Sequence, residues 1–444
     1  MTPAVTERHT AGIPAAHVPL TVPIPPRLWV PLAARSSTSP PAVKPVWTAV
    51  RRGDPLTETQ PEGFSSPLAP ADGRIVAVET AVLLDGREVP AAVLETEPPG
   101  PADPDRLVRG KGAVIPAADL FGEIGPSERG AWIEALRQAG VWADRWTSPD
   151  LLAQLHQSLR RPVDTVLCSV LDTDRALPLQ SLLADSFGAE IAAGVDLVAK
   201  ICGASRAWVL VDAASPELFQ IGLRSFAEKV GARTVPLRND YPQGNPTLLL
   251  YTVLGRRLLP GHLPTETGAV VLDAAAAVAV GRFAREREAM LTLPVAVCDP
   301  MSGHIRFVGA SVGTPVSELL AYLQIPERSA VIYSGAPPRD VKVSPAAVVA
   351  GTELTLYVTA PAPDHVPDPC IRCGWCVEGC PVHIHPAALL EAVQQDDMDL
   401  ADEAGLHACI DCGVCSYICP SRLPLLGGIR QLRKRWAERM AGGK

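Results

Sequence analysis

The sequence predicts a mixed α/β protein of several domains that ends in a small, cysteine-rich helical domain. Strand-like and helix-like segments alternate between about residues 116 and 293, which is the pattern of a parallel sheet covered by helices. Runs with β-type patterning lie on both sides of this region, and most of the 11 cysteines follow residue 369. A chain of 444 residues is long enough for about two to four domains with substantial cores.

The first hundred residues predict an arm followed by a β domain. Residues 1–42 are rich in proline and show little periodicity, so they predict an extended arm. Between residues 43 and 100, short β-type runs alternate with turn signals such as Asp72-Gly73. Residues 66–78 resemble the flattened β-sandwich of biotinyl and lipoyl carriers, a barrel-sandwich hybrid. No lysine stands at the expected hairpin tip, so attachment of a prosthetic group is not expected.

Residues 105–292 predict a Rossmann-like α/β domain with a parallel sheet. Buried strands are expected at Thr165–Val170, Trp208–Asp212 and Ala232–Leu237. A helix is expected from Pro216 to Gly231, because proline favours the first turn of a helix and glycine its end.

Residues 293–360 predict a small β-rich module. A strand from Ile305 leads through Thr314-Pro315 into a helix over Val316–Leu323, and further strands are expected at 331–334 and 353–358. This order suggests a β-grasp-like module of the soluble-ligand-binding (SLBB) type. A proline-rich linker over 361–369 leads into the cysteine-rich domain, which is assigned to residues 366–444.

The cysteine-rich domain contains two copies of one pattern, C-x2-C-x2-C-x3-C-P. This spacing is typical of ferredoxins with two [4Fe–4S] clusters, in which the fourth cysteine of each run binds the other cluster. The predicted ligands of cluster 1 are Cys370, Cys373, Cys376 and Cys419. The predicted ligands of cluster 2 are Cys409, Cys412, Cys415 and Cys380.

Other uses of these cysteines fit the pattern less well. A zinc site needs four ligands, and not two runs of four that each end in proline. Disulfides need an oxidising compartment, and no secretory signal is visible. The remaining cysteines, Cys168, Cys202 and Cys298, lie in apolar surroundings and are expected to be buried structural thiols.

The charge and hydropathy of the chain limit its partners. A formal charge of −8 argues against a general role in nucleic-acid binding. No apolar run reaches the roughly 18 residues that span a bilayer. A cytoplasmic protein is expected, either soluble or peripheral on the cytoplasmic side of a membrane complex.

A basic helix is expected after the last cysteine, from Ile429 to Met440. It can be an ordinary solvated face, or a docking surface for an acidic electron-transfer partner such as a flavoprotein or a ferredoxin. The candidate docking residues are Arg430, Arg433, Lys434, Arg435 and Arg439.

The chain resembles the C subunit of Rnf-type ion-translocating electron-transfer complexes over nearly its whole length. The resemblance is carried by both cysteine runs, by Tyr241-Pro-Gln-Gly244, by Val312-Gly-Thr-Pro315 and by the order of the four domains. Related proteins are the A subunit of the sodium-pumping NADH:quinone reductase and the cobalamin reductase of bacterial microcompartments. The resemblance implies an electron-transfer subunit that works with other redox subunits, including those of a membrane complex.

Three departures from the Rnf-type pattern bear on flavin binding. The family's glycine-rich GxGGAGFP loop is replaced by Val141–Pro149, its acidic NGAECEP segment by Ser169–Asp174, and its Gly-Glu after YPQG by Asn245-Pro246. Ala139–Trp142 and Leu171–Asp174 instead resemble the flavin-free A subunit of the sodium pump. FMN is therefore not expected, and the isolated protein is not expected to oxidise NADH.

The sequence thus predicts an iron–sulfur electron-transfer subunit with two [4Fe–4S] clusters. Three alternatives stay open: an FMN-containing NADH dehydrogenase or cobalamin reductase, a scaffold that only positions the cluster domain, and a quinone-reactive subunit. In the last case Trp142 and Trp146 would line a quinone pocket, although buried aromatic residues more often belong to a core.

Overall fold

The computed structural model describes residues 19–34, 42–59, 64–98, 122–174, 177–215, 217–299, 303–326, 331–361 and 366–442. Within these residues the chain forms three β-sheets, a set of helices around one of them, and a helical C-terminal domain. The predicted mixed α/β class is confirmed. No helix in the described part of the chain is long and apolar enough to cross a membrane.

The first sheet is antiparallel and is formed by the N-terminal region. Its strands are β2 (Arg27–Pro31), β3 (Ala49–Val50), β4 (Gly73–Val82) and β5 (Glu88–Thr96), in the order β2-β5-β4-β3.

The prediction of an extended arm over residues 1–42 is wrong for part of its length. Residues 27–31 form β2, and Leu20–Thr21 form β1 in another sheet. Leu28, Val30 and Leu32 alternate along the chain and are buried, so one face of this segment packs into a core as a strand does. Residues 1–18 and 35–41 of the predicted arm lie outside the described residues.

The second sheet is fully parallel and has the order β8-β7-β6-β9. Its strands are β6 (Thr165–Ser169), β7 (Arg206–Asp212), β8 (Arg233–Leu237) and β9 (Ala269–Asp273). The predicted strands match these bounds within two residues. The helices of this region are α1 (Arg129–Gln138), α2 (Leu151–Ser158), α3 (Leu179–Ser186), α4 (Gly188–Cys202), α5 (Glu217–Lys229), α6 (Pro246–Leu254) and α7 (Ala274–Glu286).

Helices α4 and α7 pack with their backbones unusually close together. A Cβ atom added to Gly194 of α4 would lie 2.0 Å from the carbonyl oxygen of Ala277, and one added to Gly281 of α7 would lie 1.8 Å from that of Glu190. Any larger side chain at either position would force the helices apart, so these two glycines fix the crossing.

The third sheet is mixed and has the order β1-β11-β10-β13-β12. Its remaining strands are β10 (Thr292–Asp299), β11 (His304–Ser311), β12 (Val331–Ser334) and β13 (Thr355–Thr359), and α8 (Val316–Tyr322) follows β11. The predicted strand–turn–helix order of this module is thus observed. Its assignment to the β-grasp type, like the other named domain types and their limits, stays a prediction.

The C-terminal domain is built from helices around its own apolar core. The helices are α9 (Trp375–Glu378), α10 (Pro386–Gln395), α11 (Met398–Glu403), α12 (Val414–Tyr417) and α13 (Leu425–Gly442). Leu389, Leu406, Ile429 and Leu432 are fully buried between them. This core holds the two cysteine runs, and α9 and α12 each lie within one of them.

Candidate iron–sulfur centres

The two cysteine runs have the same backbone conformation at equivalent positions. Gly374 and Gly413 follow the second cysteine of each run with φ angles of 81° and 77°. One residue before that cysteine, Arg372 and Asp411 also have positive φ angles, of 56° and 59°. A short helix then carries the third cysteine of each run. The doubled sequence pattern is therefore a structural repeat.

The predicted ligands of cluster 1 lie together at the surface. Cys370 and Cys373 are exposed, and Cys376 and Cys419 are half-buried. The pKa of the Cys376 thiol is raised, first by burial and then by the neighbouring charges of Cys370, Cys419 and Cys373. The structure therefore places Cys419 of the second run beside the first run.

The predicted ligands of cluster 2 are all buried and line one apolar cavity. Burial, followed by the charges of Cys409 and Cys380, raises the pKa of Cys412 to about 11. Burial and the charges of Cys409, Cys412 and Cys380 raise the pKa of Cys415 to about 12. Cys380 of the first run therefore lies with the second run. The rest of the cavity wall is apolar and includes Pro381, Ile384, Ile410 and Ile429.

Among the described residues, no three His, Cys, Asp or Glu side chains converge closely enough to hold one ion. A zinc ion would draw its thiolates to about 2.3 Å from a single point. The four thiolates of a [4Fe–4S] cluster each bind a different iron, so they stand further apart than the ligands of one zinc ion.

Charged side chains hold the loop of the second run in place. Arg430 binds the Asp411 carboxylate through two hydrogen bonds of 2.8 and 2.7 Å, and Arg339 lies 3.4 Å from the same carboxylate. Burial opposes ionisation of Asp411, but the hydrogen bonds and charge of Arg430 and the charge of Arg339 lower its pKa overall. Arg433 donates to the carbonyl oxygen of Cys409.

These contacts divide the predicted docking residues into two groups. Arg430 and Arg433 point inward to the loop of the second run. The outer basic set lies further along α13 and consists of Lys434, Arg435 and Arg439. Lys434 is exposed, and the two arginines pair with Asp396 at 3.1 and 2.9 Å. A docking role for this helix stays a prediction, and the outer basic set is the part that faces solvent.

The loop that replaces the family's glycine-rich segment is fixed by a buried ion pair. Arg145 binds Asp273, at the end of β9, with distances of 2.7 and 2.5 Å. The two side chains are 3% and 1% exposed. The hydroxyl of Thr147 donates to the same carboxylate at 3.1 Å. The loop thus lies against the carboxyl edge of the parallel sheet.

The same loop connects the α/β region to the second cysteine run. The Nε1–H of Trp146 donates a hydrogen bond to the carbonyl oxygen of Ile410 at 2.8 Å. The hydroxyl of Tyr241 donates one to the carbonyl oxygen of Cys412. The Trp146 and Tyr241 rings stack with centroids 6.1 Å apart and an interplanar angle of 22°. Sequence reasoning missed this contact, since nothing in the local pattern pairs residues more than about 150 positions apart.

The other residues singled out in the sequence are structural. Trp142 is 5% exposed and packs edge-on against Phe64 at 4.8 Å, so it belongs to the core, and both residues line a small cavity of about 30 Å³. Cys168, Cys202 and Cys298 are buried as expected, and burial raises the pKa of each thiol.

Two known protein families match separate parts of the chain. The family described as "Nuo51 FMN-binding domain" matches residues 152–282, and the one described as "4Fe-4S dicluster domain" matches residues 369–424. The second match covers both cysteine runs, so a C-terminal 4Fe–4S ferredoxin domain is confirmed.

Curated relatives resemble the chain over most of its length. The C subunit of the ion-translocating oxidoreductase complex of Rhodobacter capsulatus is 26% identical over 84% of this chain and 71% of the relative. The C subunit of the Na(+)-translocating ferredoxin:NAD(+) oxidoreductase complex of Acetobacterium woodii is 25% identical over 80% of each chain. The chain is a homologue of these C subunits. The Rnf-type resemblance of the sequence is therefore confirmed.

A solved structure of an NAD+-reducing [NiFe]-hydrogenase is similar to this chain, with 15% sequence identity and a TM-score of 0.44. The similar region covers 66% of this chain and 55% of the hydrogenase chain. At that score it adds nothing to the assignment.

The expectation that this homologue lacks FMN is not supported. The match to the Nuo51 FMN-binding domain runs from α2 to α7 and includes the whole parallel sheet. The expectation was based on three departures from the Rnf-type pattern. The glycine-free loop over 141–149 lies just before the matched residues, whereas the replaced segments 169–174 and 245–246 lie within them. Because phosphate sites can also use a helix N-terminus, a loop without glycines does not exclude a flavin.

Proposed function

We propose that this chain is the iron–sulfur electron-transfer subunit of a larger ion-translocating redox complex. The observation that carries the proposal is the gathering of eight cysteines into two groups of four, one buried and one at the surface. On this proposal cluster 1 is bound by Cys370, Cys373, Cys376 and Cys419. Cluster 2 is bound by Cys409, Cys412, Cys415 and Cys380.

The residues around each group suit them to different roles. When bound, each cluster takes up and releases one electron, at a potential set by burial and hydrogen bonds to sulfur. The apolar wall around cluster 2 excludes water from its ligands. The exposed Cys370 and Cys373 leave cluster 1 accessible to another protein. Electrons therefore pass between the body of the chain and a partner through an inner and an outer cluster.

The partner is proposed to be another redox subunit, a flavoprotein or a ferredoxin. Exposed apolar side chains surround cluster 1: Ile371, Trp375 and Tyr417 are 66%, 53% and 76% exposed. Such a patch beside an accessible redox centre is typical of an interaction surface. The outer basic set of α13 would add charge steering. On this proposal the chain is a peripheral subunit on the cytoplasmic side of a membrane complex, as its similarity to Rnf-type C subunits suggests.

The three sheets are proposed to correspond to named modules. The antiparallel sheet would be a barrel-sandwich hybrid over residues 43–100, joined by β2 from the preceding segment. The parallel sheet would be a Rossmann-like domain over 105–292. The mixed sheet would be a β-grasp module of the SLBB type over 293–360, joined at its edge by β1.

A second candidate function is an FMN-containing NADH dehydrogenase, favoured by the match to the Nuo51 FMN-binding domain. Parallel α/β sheets bind ligands at the carboxyl ends of their strands. In this chain that edge carries Arg145, Asp172 and Asp273, and it lies next to the loop of the second cysteine run. Flavin absorption bands and NADH-dependent reduction of ferricyanide, with FMN supplied, would establish this function. If both are absent from protein with intact clusters, the chain only transfers electrons.

Electron paramagnetic resonance (EPR) of the dithionite-reduced protein tests the main proposal. The parent should show signals of two reduced [4Fe–4S] clusters. Cys376→Ser should remove cluster 1 and weaken cluster 2, because Cys380 and Cys419 each cross to the other run. Cys202→Ser, which changes a buried thiol outside both runs, is the matched control and should leave both signals intact. A Cys376→Ser protein with two unchanged clusters would contradict the proposal.

A further inference from the structure

One peptide group links the α/β region to a predicted cluster ligand. The amide N–H of Asp411 lies 3.4 Å from the sulfur of Cys409 and donates to it. The carbonyl oxygen on the other side of this peptide bond belongs to Ile410, and it accepts a hydrogen bond from Trp146 at 2.8 Å. Because the N–H and C=O of a trans peptide point in opposite directions, one planar group joins the indole to the thiolate.

We propose that Trp146 is a positioning residue that sets the reduction potential of cluster 2 through this peptide group. The inference rests on the proposed function. A hydrogen bond to the carbonyl polarises the peptide and strengthens the N–H···S bond on its far side. Hydrogen bonds to ligand sulfurs are one of the determinants of cluster potential, and they raise it because they stabilise the more negative, reduced cluster.

The indole donor is held in place by contacts on several sides. Its ring stacks on Tyr241, and the Arg339 guanidinium lies 5.1 Å from its centroid. The preceding residue, Arg145, is locked by the buried Asp273 carboxylate. The donor is therefore oriented before any electron arrives, which is what a fixed effect on the potential requires.

The receiving loop is equally constrained. A Cβ atom added to Gly413 would lie 1.8 Å from the carbonyl oxygen of Pro338, so the loop packs directly on the backbone of the segment that carries Arg339. The hydroxyl of Tyr241 binds the carbonyl of Cys412 in the same loop. Two aromatic side chains from the α/β region therefore contact alternate carbonyls of the cluster 2 loop.

This device acts on one cluster only. The equivalent peptide of the first run follows Ile371, which is 66% exposed, whereas Ile410 is 4% exposed. Loss of the indole donor should thus change the potential of cluster 2 and leave that of cluster 1 unchanged.

Potentiometric titration followed by EPR tests the inference, with Trp146→Phe as the variant. Phenylalanine keeps an aromatic ring against Tyr241 but has no N–H donor. We expect the reduction potential of cluster 2 to fall by about 59 mV. For one electron, this corresponds to about a tenfold change in the redox equilibrium constant. Cys412→Ser, which changes a ligand of cluster 2 only, identifies the signal of that cluster. Trp208→Phe is the matched control, because Trp208 lies near the start of β7, away from the carboxyl edge.

The outcomes separate this inference from the proposed function. An unchanged cluster 2 potential in Trp146→Phe protein with full iron content would overturn the inference. A Trp146→Phe protein that loses iron from cluster 2 would also overturn it, because the indole contact would then hold the loop together rather than set the potential. A parent protein without any iron–sulfur EPR signal would instead contradict the proposed function.

Discussion

The buried pair of Arg145 and Asp273 should be a major determinant of the stability of the α/β region. Replacing Arg145 by Met keeps most of the side-chain volume but leaves a carboxylate that is 1% exposed without its cation. Breaking a buried pair in this way costs about 3–5 kcal/mol. Since about 1 kcal/mol lowers the midpoint of a domain of this size by roughly 2–4 °C, we expect a decrease on the order of 10 °C.

The pH dependence of that loss follows from the pKa of Asp273. In the parent, burial opposes ionisation, but the charge and hydrogen bonds of Arg145 lower the pKa overall, so the pair stabilises the fold until the pH falls through that low value. Without Arg145, burial alone raises the folded pKa above that of the unfolded chain. The penalty is then present at neutral pH and shrinks as the pH falls towards about 4.

Thermal unfolding of the anaerobic protein, followed by circular dichroism at several pH values, measures both effects. Arg238→Met is the matched control, because Arg238 and its partner Asp240 are 87% and 58% exposed and such pairs contribute little. A midpoint for Arg145→Met equal to that of Arg238→Met at neutral pH would refute the reasoning.

Three other features give predictions of their own. Burial raises the pKa of Asp172 to about 7 from 3.8, so the free energy of unfolding should fall by roughly 2 kcal/mol as the pH rises between those values, since the group is half-buried. Urea unfolding of Asp172→Asn should show no such fall. A pH dependence equal to that of the parent would contradict the raised pKa of Asp172. Cluster 1 should disappear before cluster 2 on exposure to air, because Cys370 and Cys373 are exposed; equal rates of EPR signal loss would count against the inner and outer assignment. Replacing the three residues of the outer basic set by Glu should slow the reduction of the clusters by a two-cluster ferredoxin, measured by stopped flow. The salt dependence of this rate should become flatter, with the iron content unchanged. An unchanged rate at every salt concentration would place docking elsewhere.

The sequence predicts the local structure of this chain well. Strand β6 and helix α8 begin at the predicted residues, because each has a local sequence pattern of its own. The cysteine spacing also predicts the exchange of Cys380 and Cys419 between the runs, since the ferredoxin repeat implies it. Both predictions need only neighbouring residues or a known repeat.

Contacts between distant segments could not be predicted in the same way. The hydrogen bond from Trp146 to Ile410 joins residues 264 positions apart. Arg430 looks like a solvated helix residue in the sequence, yet it turns inward because the half-buried Asp411 carboxylate lies within reach. The segment around Leu28 looks like a proline-rich arm, although its short alternation is enough for an edge strand. In each case the partner that decides the structure lies outside the local sequence pattern.

Chemical analysis of protein purified without oxygen tests the central claim most directly. Iron and acid-labile sulfide are measured per chain, together with zinc. Two [4Fe–4S] clusters require about eight irons and about eight sulfides, with no stoichiometric zinc. A value near four irons, or zinc in place of iron, would contradict the assignment of all eight cysteines to two clusters.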